Sequence, residues 1–461
     1  MTSHVLTTWN PEDTGFWARE GKRVATRNLW ISISSLFLSF AVWMVWSVVV
    51  VNLPNVGFKL DTNQLFWLVG LPGLAGATLR IFYSFMVPIF GGRKWTVIST
   101  ASLLLPALGI GFAVQNPDTP YWVLLLLAAL CGFGGGNFAS SMANISFFYP
   151  KAQKGTALGL NAGLGNLGVS AVQFLVPLAI TMGIFGTFGG EPQTWVKDGV
   201  SQSRWLQNAG FIWVPFIIVT TIAASLGMND IAAARASFKD QAVIFKRRHT
   251  WLMSWLYLGT FGSFIGYSAG LPLLIKSQFT AVDPTQYAFL GPLAGALARP
   301  VGGWLADKLG GANVTFWNFV VMMLAVFGVL YFLPSGASGG NFWGFLAMFM
   351  LLFATTGVGN GSTFRMIPVI FLTERQREAS GKGAAAQEQA IKDGAKEAAA
   401  VLGFSSALAA YGAFFIPKSY GTSISLTGGP KAALYGFAIF YASCLLITWW
   451  YYARKGAAVR C

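Results

Sequence analysis

The chain has 461 residues, of which 54% are hydrophobic and only 10% are charged. Soluble domains carry about 25% charged residues, so this composition excludes a soluble globular protein and predicts an integral membrane protein. The net charge of +15 does not indicate a nucleic-acid-binding domain, because the basic residues lie between apolar runs instead of on one polar face.

Apolar segments long enough to cross a bilayer, which takes about 20 helical residues, recur along the whole chain. Six come first, at 30–53, 64–90, 95–115, 121–149, 155–188 and 209–229. Six more follow a basic linker (230–250), at 251–275, 284–306, 313–334, 340–372, 399–426 and 431–453. We therefore predict an all-α membrane protein with twelve transmembrane helices in two six-helix bundles, 30–229 and 251–453.

The positive charges predict how these helices are oriented. With both termini in the cytoplasm, most of the 31 Lys and Arg residues lie on the cytoplasmic side, as the positive-inside rule requires. The N-terminal arm (1–29), which lacks the apolar segment and cleavage site of a signal peptide, is then cytoplasmic. The tail (454–461) is cytoplasmic as well, and so is a mixed-charge segment between helices 10 and 11 (373–398), which we predict to be a partly helical linker.

Two motifs of the first half return in the second half at matching helices. The stretch LAGATLR (74–80) returns as LAGALAR (293–299), and each is followed by a Gly-Gly pair, at 91–92 and 310–311. The GxGxG pattern of GFGGGNF, which begins at Gly132, returns in GVGNGSTF, which begins at Gly357. This correspondence predicts a duplicated, pseudo-symmetric transporter with its substrate site where the two halves meet.

The first motif places Arg80 and Arg299 near the middle of the membrane. Each lies about 16 Å along a helix from its Gly-Gly pair, half of a ~30 Å hydrocarbon layer. Arginine at that depth costs at least about 2.5 kcal/mol, and it is too deep to extend to the surface. All 16 Asp and Glu residues fall in predicted loops or at predicted helix ends, so none is available as a partner. We infer that the two guanidinium groups, whose forked donors match planar oxyanions, bind one small anion from solution.

Metal and catalytic chemistry are not indicated. The cysteines (Cys131, Cys444 and Cys461) lack metal-ligand spacing, and the two histidines, His4 and His249, lie in polar segments and form no catalytic group. The sequence therefore predicts no enzyme, no metal site and no cofactor. The glycine-rich helices 4, 5, 10 and 11 would pack closely, and packing alone explains most of their glycines.

Longer stretches carry a family resemblance. RPVGGWLADKLGG, around Arg299, resembles the loop between helices 2 and 3 of the major facilitator superfamily, although the first half has Pro88 in place of the acid at Asp307. NFASSMANISFFYPKAQKGTALGLNAGLGNLGVS (137–170), YSFMVPIFGGRKW (83–95) and YLGTFGSFIGYSAG (257–270) resemble the bacterial nitrate/nitrite porters of the NarK/NarU type. The likeness extends nearly from end to end.

This resemblance implies a major facilitator fold in the bacterial inner membrane that moves nitrate in and nitrite out. It implies that Arg80 and Arg299 hold the anion between the rings of Phe138 and Phe261. Hydrogen bonds to the anion are expected from three polar side chains, Asn166, Tyr257 and Ser406. The nitrate signature of the family corresponds to Gly159, Gly163, Gly165 and Gly168, and a weaker second copy includes Gly403 and Gly412.

One position departs from this family. Related porters have glutamine where this chain has Arg365, although the flanking Phe364 and Met366 agree. The resemblance leaves open whether Arg365 lies in the anion path or extends toward the membrane surface.

The absence of acids in the predicted helices bears on coupling. A proton-coupled transporter needs a titratable group in its path, typically Asp, Glu or His. An empty site would bring two like charges together at low dielectric, which opposes closure, whereas a bound monovalent anion relieves the repulsion. We therefore predict nitrate/nitrite antiport by alternating access in a monomer. A proton-coupled nitrate symporter and a small-anion channel remain as alternatives.

Overall fold

The computed structural model describes residues 4–197, 199–232, 242–335, 338–457 and 459–461. In this described chain, eleven helices are long and apolar enough to cross a membrane. A further helix, Leu290–Leu309, has 20 residues, enough for about 30 Å, but carries several charged side chains. In chain order the twelve helices are α1 (Thr14–Val56), α2 (Thr62–Tyr83), α3 (Gly92–Ala113), α4 (Tyr121–Phe148), α5 (Ala152–Ala179), α6 (Asn208–Gly227), α7 (Arg248–Gln278), α8 (Leu290–Leu309), α9 (Gly311–Phe332), α10 (Phe342–Glu378), α11 (Ala384–Thr427) and α12 (Lys431–Ala453).

The helices form two compact units. The first is Met1–Ala236 together with Ser268–Phe289 and Ala413–Thr422. The second is Ser237–Tyr267 together with Leu290–Gly412 and Ser423–Cys461. Part of the predicted linker, 233–241, lies outside the described residues. The bundle limits 30–229 and 251–453 stay predictions.

The repeated Gly-Gly pairs begin α3 and α9 in the same conformation. Gly91 has φ 89° and ψ 153°, and Gly310 has φ 85° and ψ 133°. A side chain at either position would be strained, because L-residues rarely adopt φ in this range. The sequence repeat is therefore also a repeat of backbone geometry.

The N-terminal arm is more ordered than an extended tail. Strand β1 (Val5–Leu6) pairs in parallel with a strand at Asp230–Ile231. Asp13 then begins α1, because its carboxylate accepts hydrogen bonds from the backbone N–H groups of Gly15 and Phe16. The first transmembrane helix consequently starts well before the apolar run that predicted it.

The segment after α5 corrects the prediction of a long helix to residue 188. The helix ends at Ala179, and an antiparallel hairpin, β2 (Gln193–Lys197) and β3 (Val200–Arg204), follows before α6. Four glycines between 183 and 190 explain the early end, since each glycine costs about 1 kcal/mol in a helix. The strand that pairs with β1, Asp230–Ile231, is β4.

The segment 373–398 is mostly helix. α10 continues to Glu378 and α11 begins at Ala384. Two carboxylates of the segment pair with arginines: Arg247, from the linker before α7, contacts Glu378 and Glu397, and Arg375 contacts the same two carboxylates. Glu397 is buried inside α11, so its assignment to a loop was wrong. Its alanine-rich surroundings favour helix, and the arginines make its burial tolerable.

Candidate functional site

Arg80 lies in α2, within the first unit, and is completely buried. Its Nε donates a hydrogen bond of 3.0 Å to the carbonyl oxygen of Gly135 in α4. The guanidinium carbon is 4.8 Å from the ring centroid of Phe138 and 5.4 Å from that of Trp43. Aromatic faces attract a cation, most strongly where water is excluded. Two rings and a carbonyl dipole thus help to stabilise this charge.

The glycines of the GFGGGNF motif bring α4 close enough to make this contact. A Cβ atom added to Gly76 would lie 3.0 Å from the Cα atom of Gly135 and 2.6 Å from Nε1 of Trp43. One added to Gly132 would lie 2.7 Å from the backbone nitrogen of Gly76. Only glycine at these positions lets the backbones of α2 and α4 touch, as small residues do in membrane helix pairs.

Arg299 lies in α8, within the second unit, and is partly buried. Its guanidinium carbon is 5.4 Å from the ring centroid of Phe364. Its Nη1 atom is buried and donates no hydrogen bond within the described part of the chain. None of the ion pairs among the described residues includes Arg299. Arg299 therefore has a buried donor left for a ligand.

The second copy of the glycine pattern packs against α8 as the first packs against α2. A Cβ atom at Gly357 would overlap the carbonyl oxygen of Gly295, and one at Gly361 would overlap that of Arg299. From the opposite side, a Cβ at Gly302 would overlap the carbonyl oxygen of Val358. In each unit the repeated glycines therefore fix the helix that carries the arginine.

Tyr257 and Phe261 are both buried and stack on one another in α7. Their ring centroids are 5.6 Å apart and their planes differ by 12°. A π-helical turn, Leu258–Gly262, follows Tyr257 and includes Phe261, and such turns are frequent at functional sites. The ring of Phe364 is 6.3 Å from that of Tyr257, so Phe364 lies next to both Arg299 and the stacked pair.

The two remaining polar candidates occupy different surroundings. Asn166, in α5, is 1% exposed, and its Oδ1 accepts no hydrogen bond from a described residue. Ser406, in α11, donates a hydrogen bond of 2.8 Å to the carbonyl oxygen of Gly403. The structure thus brings Arg80 together with Phe138, and Tyr257 together with Phe261, whereas Asn166 has no hydrogen bond to another candidate among the described residues.

The signature glycines divide into two kinds. Gly165 and Gly168 pack on α1, against Leu36 and the carbonyl oxygen of Phe37, and Gly412 packs against the backbone of Gly262. A Cβ atom added at the other three would meet no described atom within 4 Å; these are Gly159, Gly163 and Gly403. Close helix packing therefore explains why glycine is needed at three of the six signature positions.

Arg365 has a carboxylate partner, unlike Arg299. Its Nε atom is 2.5 Å from Oδ1 of Asp307, and more than half of each side chain is exposed. The helix continues from Arg365 to Glu378, so the arginine is further from the helix end than the sequence indicated. The ion pair places its charge at an exposed junction between α8 and α10.

Three contributors were missed by reasoning from the sequence: Trp43, the carbonyl of Gly135, and Phe364. Aromatic residues make up 15% of the chain, so composition could not single out two rings. A signal does exist, since Phe138 and Phe364 both follow a repeated GxGxG pattern within three residues.

The known proteins that this chain is similar to are transporters. Residues 31–387 match the family model of the Major Facilitator Superfamily. The chain is 53% identical to "Nitrate/nitrite transporter NarU" of Escherichia coli (strain K12), over 98% of this chain and 97% of that protein. It is 46% identical to "Probable nitrate/nitrite antiporter NarK2" of Thermus thermophilus, over 99% and 98%. A bacterial homologue of the human lysosomal transporter Spinster shares the fold, with a TM-score of 0.62 at 15% identity over 91% of this chain and 95% of that one.

Proposed function

Since the chain belongs to the major facilitator superfamily, we propose that it exchanges nitrate for nitrite across the bacterial inner membrane. It is a multi-pass membrane protein. In this proposal it works as a monomeric carrier and not as an enzyme, it needs no cofactor, and both termini are cytoplasmic. Nitrate enters and nitrite leaves by alternating access.

The observation that carries the proposal is a partly buried arginine, Arg299, whose buried Nη1 has hydrogen-bond donors left for a ligand. Arg299 is held by a ring and by backbone packing, and neither of these removes its positive charge. Arg80, its counterpart in the repeat, is buried against two rings and a carbonyl. A planar monovalent oxyanion would supply the missing negative charge and accept forked hydrogen bonds from both groups.

The side chains around each arginine suit a flat anion. We assign Phe138 and Phe261 to the two faces of the ion, because their rings are buried on helices that pack against those of the arginines. α4 packs on α2, and Phe264 of α7 packs on Gly295 of α8. Asn166, Tyr257 and Ser406 supply polar groups at its edge. The printed names of the NarU and NarK2 relatives support nitrate and nitrite as the ions and exchange as the mode.

Proton-coupled symport is the second candidate, and one observation favours it. His249 is buried at the start of α7, where its Nδ1 is 2.7 Å from the hydroxyl oxygen of Tyr452 and its Nε2 is 3.5 Å from Glu374. The prediction that no acid lies inside a helix was wrong for Glu374, and His249, which was predicted to lie in a polar segment, is helical as well. His249 is eight positions before Tyr257, about 12 Å along the helix, so a proton there would not directly contact the anion.

Uptake of labelled nitrate into nitrite-loaded proteoliposomes tests the proposed site. Unlabelled nitrate and nitrite should compete, whereas sulfate and phosphate should not, because they are tetrahedral and sulfate is divalent. Arg80→Lys keeps the charge but loses the planar fork, so uptake should fall at least about tenfold. Near-normal uptake by folded Arg80→Lys protein would refute binding through the guanidinium fork.

A further inference from the structure

An exposed basic groove runs along the first part of α1, outside the candidate site. Its lining includes Arg19, Lys22, Arg23, Thr26, Arg27 and Trp30. These positions recur every three or four residues and so lie on one face of the helix. We call this set of residues the basic groove. All of them except Thr26, which is partly buried, are exposed.

The opposite face of the same helix is fixed to the first unit. Val24, Ala25 and Leu29 are buried in a cluster with Ile145 and Phe148 from the end of α4. This packing fixes the rotation of the helix about its axis, so the basic side chains lie on its exposed side and on a rigid element.

Few negative charges oppose the basic groove. Glu20 is the one acidic residue between Trp17 and Trp30, against four cations. No ion pair among the described residues includes Arg19, Lys22, Arg23 or Arg27. The Nη2 of Arg27 does donate a hydrogen bond of 2.8 Å to Oδ1 of Asn229, but that amide is neutral. The groove therefore keeps its positive charge.

Its position relative to the apolar part of α1 indicates the ligand. Trp30 is 55% exposed and lies where the apolar run begins, which is typical of a side chain at the membrane–water boundary. Just beyond Trp30, α1 contacts two neighbouring helices: Ile31 adjoins Gly227 of α6, and the carbonyl of Phe37 adjoins Gly168 of α5. These neighbours carry exposed apolar side chains, Leu160 and Leu226, that would face acyl chains.

We propose that the basic groove binds the phosphate headgroup of an anionic glycerophospholipid in the cytoplasmic leaflet. The guanidinium and ammonium groups contact the phosphate, while Trp30 and the apolar surface beside it contact the acyl chains. A soluble acidic protein would not use that apolar surface. The inference goes beyond nitrate transport and rests on the proposed cytoplasmic position of the N-terminus.

Native mass spectrometry of the full chain tests this inference, with dioleoyl phosphatidylglycerol as probe and dioleoyl phosphatidylcholine as the neutral comparison. The test variant carries Arg19→Gln, Lys22→Gln and Arg23→Gln, and it leaves Arg27 in contact with Asn229. The control variant carries Lys382→Gln, Lys392→Gln and Lys396→Gln, three exposed cations in the predicted cytoplasmic segment 373–398. Nitrate uptake by each variant reports folding and transport separately from lipid binding.

The wild-type protein and the control variant should retain phosphatidylglycerol in preference to phosphatidylcholine. The groove variant should lose at least about tenfold in apparent affinity for phosphatidylglycerol, because several phosphate contacts are removed. Millimolar inorganic phosphate should not displace the lipid. Equal retention of both lipids by the wild-type protein, an equal loss in the control variant, or displacement by phosphate alone would overturn the proposal.

Discussion

At the scale of single residues, the partners of each arginine decide what it can bind. Arginine stays protonated in proteins, so its charge must be balanced or surrounded by groups that tolerate it. An aromatic ring attracts the cation without cancelling its charge, and this is the arrangement of Arg299 with Phe364. A carboxylate cancels the charge, as Asp307 does for Arg365. Arg299 can therefore hold an anion, whereas Arg365 is already paired.

Replacing Arg299 and Arg365 one at a time should distinguish the arginine that binds the anion from the one that is already paired. Arg299→Gln removes a cation that we propose binds the transported anion. Nitrate uptake should therefore fall at least about tenfold, since a charge-assisted hydrogen bond is worth about 1.5 kcal/mol or more. Arg365→Gln breaks only an exposed ion pair, worth about 0–1 kcal/mol, so uptake should stay within roughly fivefold of wild type. Initial uptake rates in proteoliposomes measure both. A larger loss in Arg365→Gln than in Arg299→Gln would reverse the assignment.

Phe364 should matter through its contact with Arg299. Phe364→Leu keeps an apolar side chain but removes the ring, and a cation–π contact is worth about 0.5–2 kcal/mol. The KM for nitrate should therefore rise roughly two- to thirtyfold, and Phe364→Tyr should restore it. Phe327→Leu, at an exposed position in α9, is the control and should leave the KM unchanged. An unchanged KM in Phe364→Leu protein would show that the ring does not support the site.

The arginines could be found from the sequence, but their surroundings could not. A charge inside an apolar run stands out in a chain with few charges, and the repeat doubled that signal. Trp43 is one ring in a strongly aromatic chain and is selected only by helix packing over a long sequence distance. Phe364 leaves one sequence signal, its place after the repeated GxGxG pattern. The hydrogen bond from Arg80 to Gly135 is also invisible in the sequence, because its acceptor is a backbone atom.

At the scale of helices, neighbouring glycines in α8 differ sharply in their surroundings. Gly302 faces the backbone of Val358, whereas a Cβ atom at Gly303 would meet no described atom within 4 Å. Gly302→Ala should destabilise the protein by about 1–3 kcal/mol, because the added methyl group overpacks the contact between α8 and α10. Gly303→Ala should be neutral or stabilising by up to about 1 kcal/mol, because alanine favours helix.

Thermal unfolding of the purified variants in detergent measures this difference. Gly302→Ala should lower the melting temperature, and Gly303→Ala should leave it equal or higher. Equal melting temperatures for the two variants would mean that close contact between α8 and α10 is not required.

Hydrophobic runs located the helices well, and they failed at the helix ends. Each of the twelve predicted segments overlaps one of the twelve helices, which confirms the predicted fold class. Beyond the apolar runs, the predictions missed the start of α1 in the polar arm and the hairpin after α5, and they underestimated the helix in the segment 373–398. These parts are held by capping, strand pairing and ion pairs, none of which leaves a hydrophobic period in the sequence.

At the scale of the whole molecule, two positive charges, one buried at Arg80 and one partly buried at Arg299, also explain why the carrier should exchange. In the proposed exchange, an empty carrier would have to close with two uncompensated cations at low dielectric, whereas a bound anion would reduce their repulsion. Closure is thus favoured by either nitrate or nitrite, and the carrier returns only when loaded. The His249–Glu374 pair offers a competing route, in which a proton accompanies nitrate.

The most direct measurement is counterflow in proteoliposomes, with labelled nitrate outside, either nitrite or an inert anion inside, and with or without a pH gradient. Internal nitrite should stimulate nitrate uptake without any pH gradient, and His249→Gln should retain that stimulation. Stimulation from the opposite side would also exclude a channel, in which external and internal ions move independently. Uptake that requires a pH gradient, proceeds without internal nitrite and is lost in His249→Gln protein would contradict exchange and establish proton symport.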